Sequence, residues 1–292
     1  GELRQARDEI IKFAPSELIY NTTLELSGID LADLKNRLNI ALTPLADWYF
    51  DEEICEKELK QHFKVGALDG LGLKDFEIGT IAAGSVLRYL YETQKNSLSH
   101  ITRLITYLPG KYMVIDSSTR RNLELTETLR EKQKRGSLLW VLDKTKTAMG
   151  KRMLRSWLEQ PLVSVGPITQ RQNAVGELYE DTALRMALTD VLSDINDLER
   201  IVTRILYGTA NAKELRALSV TLAQLPAFKG YLANTKSNLL RDLAKRIDPL
   251  PELQRLIDDA IDDDPPFSVR EGGMIRPGFH EEADRLQRED GM

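Results

Sequence analysis

Few side chains in this sequence have the types and spacing that catalysis or metal binding requires. The histidines are His62, His100 and His280 and the one cysteine is Cys55, so the paired Cys and His spacing of a zinc site is missing. The sequence also contains no Gly-x-x-x-x-Gly-Lys-Ser/Thr phosphate loop, no Gly-x-Ser-x-Gly elbow and no His-Glu-x-x-His pair. We therefore predict no catalytic residue, metal or cofactor in this chain, and no ATP hydrolysis by it.

Positive charge is concentrated between residues 130 and 155. This stretch carries nine cations and two carboxylates, a net charge of +7, whereas the whole chain has a net charge of −5. The cations are Arg130, Lys132, Lys134, Arg135, Lys144, Lys146, Lys151, Arg152 and Arg155, and all except Arg130 are candidate contacts for phosphate or for a partner. The other interpretation is a solvated rim whose cations pair with acidic helices elsewhere. We favour the rim, because aromatic side chains interleaved for base stacking are lacking if Trp140, which stands among leucines, is in the core.

The composition is that of a water-soluble globular protein, with 42% hydrophobic and 29% charged residues. No apolar run approaches the roughly 20 residues of a membrane span, and the charged start of the chain is not a secretory signal. A single cysteine cannot form an internal disulfide, which fits a reducing cytoplasm. We expect a cytoplasmic segment of a longer protein, because Gly1 stands in place of an initiating Met and a charged helix near the end is unfinished.

The length of 292 residues suits two domains, and the first 75 residues mix strand and helix signals. Residues 17–21 (ELIYN) predict a strand, and the apolar spacing in residues 29–42 and 51–63 predicts two helices over a sheet. The three glycines in residues 66–72 indicate a boundary. We predict a partial α/β domain at residues 1–75.

Beyond Phe76 the apolar periodicity is almost wholly helical, and it predicts an irregular bundle over residues 76–270. Apolar residues between Ile78 and Leu90 predict a helix of about five turns. The pattern over residues 188–206 predicts one long helix. The fold class is therefore mainly α with a smaller α/β part.

Shorter signals place the ends of the later helices. Asn211 with Glu214 is typical of a capping box, and Pro226 is expected to end the helix that follows. Residues 250–261 predict a further helix, which the prolines of residues 262–266 (DDDPP) must end. Residues 112–116 and 267–270 are predicted to be strands or extended connectors, and residues 279–288 the start of another helix. Trp140 and Trp157 stand among leucines and are expected in the core.

Three motifs in order resemble the core-domain signature of MutS proteins. They are residues 116–125 (DSSTRRNLEL), 136–143 (GSLLWVLD) and 145–162 (TKTAMGKRMLRSWLEQPL), with residues 171–175 (RQNAV) after them. Residues 197–200 (DLER) resemble a later core helix, and residues 265–284 resemble the crossing from the core into the lever helix. Residues 48–51 (WYFD) and 68–72 (LDGLG) resemble the end of the connector domain. The resemblance spans nearly the whole chain.

The resemblance implies a segment of a DNA mismatch-recognition protein that holds part of the connector domain in residues 1–75, the core in 76–270 and the start of the lever in 271–292. It implies a scaffold that links a distant ATPase, which uses ATP and Mg²⁺, to a DNA clamp. The implied partners are mismatched duplex DNA, a MutL-type protein at the connector and a second copy in the whole protein, although the segment itself is expected to be monomeric. The alternative is a free-standing helical nucleic-acid-binding module that uses the basic stretch.

Overall fold

The computed structural model describes residues 3–13, 15–94, 98–106, 112–267 and 271–290. The chain forms two compact units, one of Gly1–Gly110 with Val114–Asn122 and the other of Lys111–Met113 with Leu123–Met292. The fold class is mainly α with a smaller α/β part, as predicted. The domain limits at residues 75 and 270 stay predictions.

The first unit places one small parallel sheet among helices. Its elements are α1 (Leu3–Phe13), β1 (Glu17–Asn21), α2 (Thr22–Glu25), α3 (Leu31–Leu38), β2 (Ala41–Leu45), α4 (Glu52–Phe63), α5 (Glu77–Thr93) and α6 (Ser117–Asn122), with 3₁₀ turns at Asp47–Phe50 and Leu68–Leu71. The predicted strand at residues 17–21 and the helix at 51–63 are confirmed. Asp51 starts α4, because its side chain accepts a hydrogen bond from the Ile54 backbone N–H at 3.0 Å.

The prediction of one helix over residues 29–42 is wrong at its end, where β2 begins. α3 stops at Leu38 because Asn39 adopts the left-handed conformation with φ of 54°. The Ala41 backbone N–H then donates to the Ser16 carbonyl at 2.9 Å, and β2 pairs with β1 in parallel register. Pro44 fits β2 because, within the described residues, the sheet has these two strands and each is an edge.

Helices α4 and α5 pack backbone against backbone at Gly84. A Cβ atom built there would lie 2.4 Å from the Cys55 Cβ and 2.6 Å from the Cys55 Cα. Leu59 of α4 and Leu87 of α5 are buried in the same apolar cluster, together with Leu73 and Leu98. The absence of a side chain at Gly84 therefore sets how closely the two helices approach.

The second unit is an irregular helical bundle. Its elements are α7 (Leu138–Leu142), α8 (Ala148–Glu159), α9 (Val165–Glu180), α10 (Thr182–Ser193), α11 (Leu198–Leu206), α12 (Ala212–Ala233), α13 (Asn238–Arg246), α14 (Pro251–Ala260) and α15 (Glu281–Asp290). The capping box predicted at Asn211 and Glu214 is confirmed at the start of α12. The helices predicted at residues 250–261 and 279–288 are confirmed as α14 and α15.

The prediction of one helix over residues 188–206 is wrong, because α10 ends at Ser193 and α11 begins at Leu198. The Asp197 side chain accepts a hydrogen bond from the Arg200 backbone N–H and starts α11. Asn196 turns towards α12, where its backbone N–H donates to the Thr221 hydroxyl at 3.0 Å. A polar contact with a distant helix therefore accompanies the break between α10 and α11, although the apolar pattern in the sequence is continuous.

The prediction that Pro226 ends a helix is also wrong, since α12 runs through it to Ala233. A proline in a helix interior costs about 3 kcal/mol. The helix is buried on both sides of that position, through Leu222 in a cluster with Ile201 and Ile257 and through Leu232 in a cluster with Leu188. Burial at both ends of α12 offsets the cost of the proline.

The remaining predictions concern short connections. Tyr112 forms an isolated antiparallel bridge with Leu162, and residues 113–116 are a connector rather than a strand. The second predicted strand, at residues 267–270, lies outside the described residues except for Phe267. α14 ends at Ala260, just before the aspartates and prolines of residues 262–266, as expected from the lost backbone donors.

Candidate functional site

The basic stretch 130–155 consists of a loop, the short helix α7, a second loop and α8. Ser137 begins α7: its buried hydroxyl donates to the Lys134 carbonyl at 2.7 Å and accepts from the Trp140 backbone N–H at 3.2 Å. Thr147 begins α8 by accepting from the Gly150 backbone N–H at 2.9 Å. The hydrogen bonds at Ser137 and Thr147 therefore fix the ends of the two loops, which carry six of the nine cations.

Asp143 contacts one cation of the first loop and one of α8. Its carboxylate forms an ion pair with Lys134, accepts a hydrogen bond from the Thr145 hydroxyl at 2.7 Å and lies 4.0 Å from the Lys151 Nζ. The Asp143 side chain is only 10% exposed. The hydrogen bond from Lys134, and after it the one from Thr145, lowers the pKa of Asp143 to about 2.

We predict that Asp143 makes the free energy of unfolding depend on pH in the acid range. Its pKa is below the value of about 3.9 in an unfolded chain, so its ionisation stabilises the fold above about pH 4, and this contribution is lost as the pH falls towards 2. Asp143→Asn should flatten that part of the pH dependence of the free energy of unfolding, measured by urea unfolding. Lys134→Met should have the same effect, and an unchanged pH dependence in both variants would contradict the assignment.

Arg152 connects α8 to the start of α11. Its guanidinium donates to Asp197 at 2.7 and 2.9 Å and to Glu199 at 2.8 Å. The hydrogen bonds to Asp197 and then Glu199 raise the pKa of Arg152, and the same contact lowers the pKa of Asp197. Arg155 pairs with Glu159 of its own helix at 3.3 Å. The carboxylates at Asp197 and Glu199 were not predicted, although the DLER motif that contains them was recognised.

The candidate contact residues thus divide into two groups. Lys134, Lys151, Arg152 and Arg155 form ion pairs within the second unit. Lys132, Arg135, Lys144 and Lys146 are exposed and, like Arg130, form no ion pair with any residue that the structure describes. A contact of these side chains with phosphate or with a partner stays a prediction.

The expectation that Trp140 and Trp157 lie in the core is wrong, since they are 48% and 41% exposed. α7 is a single turn, and Leu139 is its buried side chain, so Trp140 falls on another face. The Arg171 guanidinium lies 3.5 Å from the centroid of the Trp157 ring, a cation–π contact between α8 and α9. Leu138, Val141 and Leu142 are exposed too, so α7 presents a largely apolar face beside the basic loops.

Metal binding and thiol chemistry find no support among the described residues. Across them, no three His, Cys, Asp or Glu side chains meet as metal ligands would. Cys55 is buried, and burial raises the pKa of its thiol. No helix in the described part of the chain is long and apolar enough to cross a membrane.

Comparison with known proteins assigns nearly the whole chain. Residues 118–290 match the family described as MutS domain III, and residues 2–102 match MutS domain II. The chain is 53% identical to the DNA mismatch repair protein MutS of Lachnoclostridium phytofermentans, over 98% of this chain and 31% of that protein. It is 42% identical to the proteins of that name from Alkaliphilus oremlandii, over 96% of this chain and 32% of that protein, and from Symbiobacterium thermophilum, over 98% and 33%.

The chain spans about a third of the length of the curated relatives it matches. The two family matches follow each other along the sequence in the order II and then III. The resemblance seen in the core signature and in the connector motifs is thereby confirmed, and the chain belongs to the MutS family.

Proposed function

We propose that this chain is the connecting and transmitting segment of a DNA mismatch repair protein, a scaffold rather than an enzyme in itself. The observation that carries the proposal is the match to MutS domains II and III, in relatives named DNA mismatch repair protein MutS. The sequence contains no phosphate loop, so ATP and Mg²⁺ would be bound by another part of the whole protein. In this proposal the helices link that ATPase to the part that grips DNA.

Side-chain contacts between helices of the bundle support transmission. Arg152 joins α8 to α11, and Asn196 joins the start of α11 to Thr221 of α12. The Glu177 carboxylate of α9 accepts hydrogen bonds from the backbone N–H groups of Lys236 and Ser237 at 2.6 and 2.7 Å, where α13 begins. Helices joined in this way would shift together, and packed elements of this kind carry coupling between distant sites.

The rest of the proposal follows the family. Residues 1–75 would belong to the connector domain, which would bind a MutL-type partner, residues 76–270 to the core, and residues 271–292 to the start of the lever. The whole protein would bind mismatched duplex DNA, form a homodimer and act in the cytoplasm. The segment itself would be a monomer.

A chimera tests the transmitting role. This chain would replace the corresponding segment of the Lachnoclostridium phytofermentans protein, and ATP turnover would be measured with and without mismatched duplex. We expect the duplex to change ATP turnover in the chimera. Arg152→Met should weaken that change about fivefold, the lower end of typical coupling between sites, and leave turnover without DNA unchanged.

The control variant is Arg155→Met, because Arg155 pairs within α8 and does not bridge two helices. It should behave like the unaltered chimera. If Arg152→Met and Arg155→Met respond equally to DNA, the link between α8 and α11 does not transmit. ATP turnover by the isolated chain would contradict the proposal that it is not an enzyme.

The exposed cations favour one alternative, a free-standing nucleic-acid-binding module. Lys132, Arg135, Lys144 and Lys146 could neutralise phosphates, whereas the cations in ion pairs are already occupied. Duplex binding by the isolated chain that weakens steeply with salt, and that disappears when these four residues are neutralised, would establish this alternative. Weak binding that the four substitutions do not change would exclude it.

A further inference from the structure

The segment that leads into α15 folds back along the end of α14. Ile261 and Ile275 form an antiparallel bridge, in which the Asp262 backbone N–H donates to the Met274 carbonyl and the Arg276 backbone N–H to the Ala260 carbonyl, both at 2.9 Å. Met274 and Ile275 pack on the apolar cluster that contains Ile261. The lead-in is therefore held to the bundle by backbone pairing as well as by apolar contact.

Asp263 joins this lead-in to α12. One of its carboxylate oxygens, Oδ1, accepts from the Arg216 Nη2 of α12 at 2.8 Å and from the Arg276 Nη2 of the lead-in at 2.5 Å. The Arg276 Nε also donates to the Ile261 carbonyl at 3.1 Å, just beyond the carboxyl end of α14. A single carboxylate thus ties together α12, the end of α14 and the lead-in.

The two ion pairs of Arg216 differ in how exposed they are to solvent. The Asp263 side chain is 74% exposed, whereas Arg216 is 19% exposed and has a second partner, Asp258 of α14, at 2.6 Å. Asp258 also accepts a hydrogen bond from the Ser219 hydroxyl of α12. Loss of the Asp263 charge would therefore leave the contact between α12 and α14 in place.

α15 begins a few residues after Arg276. The Gly278 backbone N–H donates to both carboxylate oxygens of Asp284, at 3.1 and 2.9 Å, which fixes the turn at the start of the helix. Only a short turn separates Arg276 from α15. The contacts that hold Arg276 therefore also limit the direction in which α15 runs.

We propose that Asp263 is the centre of a charge-dependent latch that fixes α15 to the bundle. Closed, the latch holds the lead-in against α14; open, it leaves in place the backbone bridge, the apolar contacts of Met274 and Ile275, and the hydrogen bond from the Arg276 Nε to the Ile261 carbonyl. The use of this latch in transmission rests on the proposed function, whereas its existence in this chain does not. The latch supplies a defined point at which the bundle and α15 could become uncoupled.

Hydrogen exchange of this chain, followed by mass spectrometry, tests the latch. Asp263→Asn should speed exchange of the Asp262 and Arg276 amides about fivefold at low salt, the effect of losing charge-assisted hydrogen bonds that solvent partly screens. The matched control is Asp242→Asn, which removes an exposed aspartate paired with Lys245 on α13. The control should leave these amides unchanged, and exchange in α12 and α14 should stay as in the unaltered chain in both variants.

Salt and a double variant sharpen the result. One molar salt should speed exchange of the same amides in the unaltered chain and have little effect in Asp263→Asn, because the charge is already gone. Arg276→Gln combined with Asp263→Asn should add little to the more severe single change. Equal exchange in Asp263→Asn and Asp242→Asn would overturn the latch. A latch seen in this chain together with a chimera whose Arg152 variant is normal would overturn only the transmitting role.

Discussion

Replacing Gly84 by alanine should destabilise the first unit by about 3 kcal/mol, at the upper end of what overpacking usually costs. The added Cβ would lie 2.4 Å from the Cys55 Cβ and 2.8 Å from the Cys55 carbonyl oxygen. These atoms belong to the backbone of α4 or are fixed to it, so no side-chain rotation relieves the overlap. The two helices would have to separate, which would loosen the cluster around Leu59 and Leu87. Urea unfolding measures the loss.

The matched control is Gly79→Ala on the same helix. A Cβ there would meet the nearest Phe76 atoms at 3.6 Å, an ordinary contact. Alanine is favoured over glycine within a helix by up to about 1 kcal/mol, so this variant should be as stable as the original chain or more so. If Gly84→Ala unfolds at the same urea concentration as Gly79→Ala, α4 and α5 do not approach each other in solution as closely as they do in the structure.

Thr221→Val should destabilise the second unit by about 2 kcal/mol, because the hydroxyl takes part in three partly buried hydrogen bonds that each contribute about 1 kcal/mol or less. The valine has nearly the same shape but no hydroxyl, so the Asn196 backbone N–H loses its acceptor at 3.0 Å. The Asn196 side-chain amide, which donates to the same oxygen at 3.2 Å, loses it too. Thr221 is fully buried, but Asn196 is exposed, so water can replace part of what Asn196 loses. Thermal or urea unfolding gives the free energy.

Thr221→Ser separates the hydroxyl from the methyl group. Serine keeps the hydrogen bonds and loses one buried methyl, worth about 0.8 kcal/mol. Hydrogen exchange should find the Asn196 amide protected in the serine variant and exposed to exchange in the valine variant. Protection of that amide in Thr221→Val would show that the break between α10 and α11 does not depend on Thr221.

Local patterns in the sequence predicted about half of the helices, and the two failures at α11 and α12 have a common cause. Asn211 and Glu214 predicted a helix start correctly, because capping depends on neighbours in the sequence. The break before α11 and the passage of α12 through Pro226 depend on contacts with residues far along the chain. Periodicity shows which residues face the core. A short turn can leave the same residues facing the core although the helix has ended.

For the basic stretch, the location of the charge could be predicted from the sequence, but the partners of the cations could not. The favoured interpretation was pairing with acidic helices, and Arg152 does pair with α11. Lys134 instead pairs with Asp143, which lies inside the stretch. Exposure of Trp140 was missed because a run of leucines predicts a buried helix, whereas a single turn of five residues can bury only one side.

At Asp197 two separate requirements fall on one side chain. It starts α11 by accepting from the Arg200 backbone N–H, and it receives the Arg152 guanidinium from α8. Starting a helix alone would admit serine, threonine or asparagine, and pairing with arginine alone would admit glutamate. Only aspartate does both, because its carboxylate is charged and short enough to reach the main chain. When all twenty residue types are placed at this position and the variants are sorted by stability, only aspartate should keep the stability of the original chain. A position that only starts a helix would accept several residue types.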